Sequence, residues 1–149
     1  MNRPPEYENL IKRNVFVAQP AMPGAVQPNL GNAAEFLEAA QQLVDTREIY
    51  LPAFFAAYEG LFQMVQAILE FYEVRIKDAG RNAAIQRVCA DLKMSNAEFA
   101  LVSKAHGRRN NTSCISPFPP ISRAEAQALI AILRQYLPVA TALTQPANI

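Results

Sequence analysis

The sequence predicts an all-α fold, an up-and-down bundle of about five helices behind a proline-rich N-terminal arm. Three observations predict it. Apolar residues recur at three- and four-residue steps in one segment after another. No stretch alternates convincingly as a strand would. Five of the eleven prolines crowd residues 1–30, where missing backbone donors and the restricted residue before each proline favour extended chain over helix.

The elements follow in order. Residues 1–30 form the expected extended arm, apolar from Ile11 to Val26 and suited to lying on the core or on another subunit. Residues 31–145 form one helical domain, consistent with a chain of 149 residues and the usual domain size. In "NAAEFLEAAQQLVDT", Phe36, Leu37, Ala40, Leu43 and Val44 make one apolar face, and Asn32 with Glu35 has the spacing of a capping box. Residues 51–78 read as one long central helix whose inward stripe is Phe54, Phe55, Tyr58, Leu61, Phe62, Val65, Ile68, Leu69, Tyr72 and Ile76. Pro52 sits in its first turn, and Gly60 bends it or lets a neighbour approach. "AGRNAAIQRVCADLK" turns Ile85, Val88, Cys89 and Leu92 inward. "SNAEFALVSKAH" starts on Ser95 with Glu98 at the capping-box position and is expected to stop near Gly107. The last helix starts on Ser122 with Glu125, and Pro138 is expected to kink or end it.

Composition narrows the function. With 51% apolar and 18% charged residues, the chain is not intrinsically disordered. Charges interrupt every apolar run before the roughly 18–20 residues a bilayer span needs, so no membrane partner is expected. "MNRPPEYENLIKR" has no apolar signal core, and Cys89 and Cys114 read as free thiols of a cytoplasmic protein. The charge is uneven. Residues 1–73 hold 9 acidic and 4 basic residues, a balance of −5, and residues 74–149 hold 4 acidic and 10 basic, a balance of +6. That pattern suits an anionic partner for the second half, or mutual attraction between the halves.

Most site chemistries can be set aside. One histidine and two widely spaced cysteines do not make a zinc site, so no metal is implied. Scattered glycines remove the nucleotide fingerprints, no GxSxG elbow is present, and no cofactor is implied. What stands out is "HGRRNNTSC", His106 to Cys114. Part of it reads simply as a helix end, with Lys104 and His106 in the last turn, Gly107 as a left-handed cap, and turn residues after it. That reading leaves Arg108 and Arg109 unexplained, in a stretch with no acidic residue between Glu98 and Glu125. Lys104, Arg108, Arg109 and Asn110 are therefore the candidate ligand-binding residues, suited to phosphate.

The order of "FFAAYEGLFQMVQAILEFYEVR", "AGRNAAIQRV", "RRNNTSC" and "ISRAEAQALIAILRQYLP" resembles that of the HEPN superfamily over roughly residues 50–140. These are small all-α domains of toxin–antitoxin, phage-defence and RNA-processing systems. The resemblance implies a homodimer with RNA, a nucleotide or a protein as partner. In active members an arginine, a polar residue and, after a short gap, a histidine form a metal-independent ribonuclease site. Arg109 matches the arginine and Asn110 the polar residue, but the histidine slot holds Cys114, and His106 lies before the arginines. A thiol with a free pKa of about 8.5 is a poor base near neutral pH. The resemblance thus implies a binding or accessory protein. The alternatives are a ribonuclease whose catalytic residues are Arg109, Asn110 and either His106 or Cys114, and a structural oligomerisation module.

Overall fold

The computed structural model describes residues 3–77 and 80–145, and in helix α5 the side chains of Ser113 and Cys114 lie outside the description. Six α-helices and two short strands follow one another: α1 (Pro5–Lys12), β1 (Phe16–Ala18), α2 (Val26–Gln42), α3 (Tyr50–Phe71), β2 (Val74–Ile76), α4 (Arg81–Asp91), α5 (Asn96–Cys114) and α6 (Arg123–Leu143). The all-α expectation holds, with a two-stranded antiparallel ribbon added at one side.

α3 is the centre of the fold, packed chiefly against α2 and α6. Of its expected stripe, Phe54, Tyr58, Leu61, Phe62, Val65, Ile68 and Leu69 are buried, Phe55 only partly, and Tyr72 and Ile76 fall past the end of the helix. Gly60 has the close-packing role. A β-carbon there would lie 2.6 Å from Leu133 Cδ2 and 3.0 Å from Phe36 Cβ, so α2, α3 and α6 meet at this point. Ile85, Val88, Cys89 and Leu92 are buried as expected. Both the Ser95–Glu98 and the Ser122–Glu125 capping boxes form, with each side chain bonding the other residue's backbone N–H.

Five expectations need correction. The stretch expected as an extended arm instead holds α1, β1 and the start of α2. Pro5 occupies the first turn of α1 and Pro28 the first turn of α2, where a helix has no use for the missing donor. Tyr7 and Phe16 are fully buried, and the Tyr7 hydroxyl donates to Asp91 at 2.5 Å. Second, Asn32 is not a cap. α2 already runs through it, and its amide donates to Gln63 Oε1 at 3.3 Å. Third, the long helix stops at Phe71, where Glu73 takes a left-handed φ of 58°. The chain then turns into β2, which pairs Phe16 with Ile76 and Ala18 with Val74. Arg3 Nη1 donates to the carbonyls of Tyr72, at the helix end, and Glu73, which also accepts the Gln19 N–H.

Fourth, Pro138 does not end α6, which continues to Leu143. Fifth, α6 is the one described helix long and apolar enough by length and composition to cross a membrane. Its inner stripe, Leu129, Ile130, Leu133 and Tyr136, is buried in the core.

Candidate functional site

The largest difference from the sequence reading lies in "HGRRNNTSC" itself. Gly107 is not a cap: α5 passes through it and ends at Cys114. Glycine costs a helix interior about 1 kcal/mol, and contacts on both flanks of the following turn offset that cost. On one flank Arg108 Nε donates to Glu125 at 2.7 Å, and its Nη2 reaches the carbonyls of Pro119 at 2.9 Å and Pro120 at 3.3 Å. That ion pair ties the end of α5 to the start of α6 and the loop between them. The Arg108 hydrogen bond, first among several effects, holds the Glu125 carboxyl below its ordinary range.

The opposite flank faces α3. His106 Nδ1 lies 2.7 Å from the hydroxyl of Tyr58, which is fully buried. On the other side of the ring, Asn110 Nδ2 lies 3.3 Å from His106 Nε2. Arg109 Nη1 reaches Asn110 Oδ1 at 3.5 Å, its guanidinium carbon sits 5.4 Å from the centre of the Tyr58 ring, and Nη2 is 3.5 Å from Glu59 Oε1. Donor and acceptor capacities make these contacts one chain. Arg109 donates to the amide oxygen, and the amide N–H donates to Nε2. The Nδ1–H then donates to the Tyr58 oxygen.

Helical geometry explains the grouping. Residues three and four apart share a face, so His106, Arg109 and Asn110 converge while Lys104 and Arg108 turn the other way. Lys104 is exposed and borders a groove floored by Phe54, Leu101, Ala105, Ala124 and Ala128. Of the residues singled out in sequence, the structure therefore brings three together and separates two. Cys114 lies outside the described side chains.

Two further residues complete the cluster. Arg81, first in α4, stacks on Phe62 with its guanidinium carbon 3.9 Å from the ring centre. Burial, then the positive charges of Arg81 and Arg109, lower the pKa of His106, so the ring is neutral at pH 7. Burial raises the Tyr58 phenol, with Arg81 and Arg109 pulling against it. Two cations thus act on the same pair of rings, and the half-exposed Glu59 is the one acid paired with either of them among the described residues. Arg81 Nη1 and Arg109 Nε are buried without an acceptor there. Chemically this is an electropositive corner holding a neutral imidazole, suited to an oxyanion.

Tyr58, Glu59 and Arg81 were not visible as site residues in the sequence. Tyr58 belongs to an aromatic stripe whose spacing indicates core, and it is core. Only its hydroxyl, pointed at α5, has a polar task. Compared with protein-family models and with curated proteins, the chain finds no match.

Proposed function

We propose that this chain is a HEPN-like accessory protein that binds RNA through the corner formed by His106, Arg109 and Asn110. The observation that carries the reading is two guanidiniums set by neighbouring rings of α3, Arg81 at Phe62 and Arg109 at Tyr58, whose hydroxyl meets His106, with the partly exposed Glu59 paired to Arg109. A phosphate oxygen is the acceptor that guanidiniums so placed bind well. No acidic residue lies between Glu98 and Glu125 in the sequence, which leaves Glu59 as the acid that a phosphate must displace from Arg109.

Arg109→Ala tests it. Labelled single-stranded RNA titrated with wild type should show a rise in anisotropy that the variant lacks, while circular dichroism is unchanged. The fold is expected to survive because the Glu59 pair is partly exposed, and such pairs contribute at most about 1 kcal/mol. Unchanged binding by Arg109→Ala would sink the proposal. The homodimer implied by the resemblance belongs to the same reading, and sedimentation at increasing concentration checks it.

A second reading, a metal-independent ribonuclease, is favoured by one specific observation: both nitrogens of His106 are held, and the ring is neutral. Once Asn110 gives way to a ribose, Nε2 is free to take the 2′-hydroxyl proton. The 2′-oxygen then attacks phosphorus, Arg109 stabilises the charged phosphorane, and the bond from phosphorus to the 5′-oxygen breaks as that oxygen takes up the proton held on Nε2. Total RNA in EDTA separates the readings. Cleavage by wild type, lost in both His106→Ala and Arg109→Ala, establishes the enzyme; intact RNA leaves the binding protein.

A further inference from the structure

We infer that Arg81 is a second phosphate-binding residue of this corner, and that the site grips the sugar–phosphate backbone of RNA without reading its bases. The inference rests on the RNA-binding reading above and deepens it. Arg81 comes from α4, far from Arg109 in sequence, yet the two guanidiniums lie by rings one turn apart on α3, Arg81 3.9 Å from the centre of Phe62 and Arg109 5.4 Å from that of Tyr58. Stacking on Phe62 at 3.9 Å fixes the guanidinium plane before any ligand arrives, which lowers the ordering cost of binding. The described ion pairs include none to Arg81, and its Nη1, like Arg109 Nε, is buried without an acceptor among the described residues. Arg81 is itself partly exposed, so its charge adds to that of Arg109 toward an anion approaching the corner.

The indifference to base follows from the rings around it. Base stacking needs an aromatic face open to solvent. Tyr58 is 0% exposed and Phe62 6%, so the rings that flank the two arginines are already covered by protein. The His106 ring is partly buried beside that of Tyr58, with centroids 5.9 Å apart, and both its nitrogens are engaged. What the corner offers outward is charge and N–H donors, and those contact phosphates without carrying sequence information.

The test is a titration of labelled oligouridine and oligoadenosine, at low and at raised salt, with wild type, Arg81→Gln, Arg81→Lys and Arg109→Ala, each checked by circular dichroism. Arg81→Gln should weaken both oligonucleotides at low salt by about tenfold or more, as loss of a charge-assisted hydrogen bond does. The two losses should be equal and should shrink as salt rises. Arg81→Lys should recover part of the affinity. Full affinity in Arg81→Gln beside a loss in Arg109→Ala would remove Arg81 from the site and leave the RNA reading standing. A loss confined to one oligonucleotide would overturn the indifference to base. An equal, salt-independent loss in Arg81→Gln and Arg81→Lys would make Arg81 a structural residue. No binding of either oligonucleotide by wild type would instead bring down the RNA reading itself.

Discussion

Arg108 and Arg109 are adjacent in the chain and about 100° apart around α5, and that rotation gives them different work. Arg108 is engaged by Glu125 and two prolyl carbonyls. Its replacement by alanine should cost about 2 kcal/mol of stability, the usual scale for hydrogen bonds to a charged group, and leave RNA affinity unchanged. Urea denaturation and the anisotropy titration read the two effects separately, and the reverse pattern would exchange the roles assigned to the two arginines. His106 makes a second prediction. Its folded pKa lies below the ordinary 6.5 because of burial and then Arg81 and Arg109. Below 6.5 the unfolded chain therefore binds more protons than the folded one, and stability falls as pH drops, levelling off once the folded pKa is passed. Above 6.5 the ring is neutral in both states and contributes no slope. Glu98 and Glu125, both lowered from 4.5, lose their contribution only at more acid pH. Thermal melts between about pH 7.5 and 5.5 should thus show a decline in wild type that His106→Gln flattens; equal slopes would mean that the ring titrates alike folded and unfolded. The residue types of this cluster were legible in "HGRRNN". Their division into two flanks was not, because it depends on whether the helix continues through Gly107.

At the scale of elements, helices declare themselves where their signals are local. Ser95 with Glu98 and Ser122 with Glu125 are complete within four residues, and both boxes form where expected. Gly107 and Asn32 sent local signals that were overruled, the first by contacts to α3 and α6, the second by a helix that had begun at Val26. Gly60 shows how much one element depends on another. Alanine there improves helix propensity by about 1 kcal/mol, yet its β-carbon would meet Leu133 Cδ2 at 2.6 Å, Phe36 Cβ at 3.0 Å and the Ala33 carbonyl oxygen at 3.2 Å. The leucine tip can turn aside, but the β-carbon and the backbone oxygen cannot. Overpacking of this kind costs about 1–3 kcal/mol, so Gly60→Ala should be destabilising on balance. A higher denaturation midpoint in the variant would show that α2 and α3 can part at little cost.

At the scale of the molecule, the N-terminal segment is built into the fold. Tyr7 and Phe16 are fully buried, and β1 supplies the hydrogen-bonding partner of β2. Removing residues 1–18 deletes two large aromatic side chains from the core, each worth several kcal/mol at the usual scale of about 3–5 for such losses, against a total stability of about 5–15 kcal/mol. The truncated chain should melt far below the full one, or without a cooperative transition, in differential scanning calorimetry. An unchanged melting temperature would show a separable arm, as the prolines alone suggested. The sequence by itself determined the all-α class, the buried stripe of α3, the inward residues of α4 and two helix starts, because each rests on spacing within a few residues of one chain segment. Only the tertiary structure decided that α3 stops for a strand paired with residues 16–18, that α5 runs on past its glycine, and that Arg81 and Tyr58 join His106 and Arg109. Those outcomes depend on groups tens of residues apart, and no local period or cap encodes which distant side chain will face them.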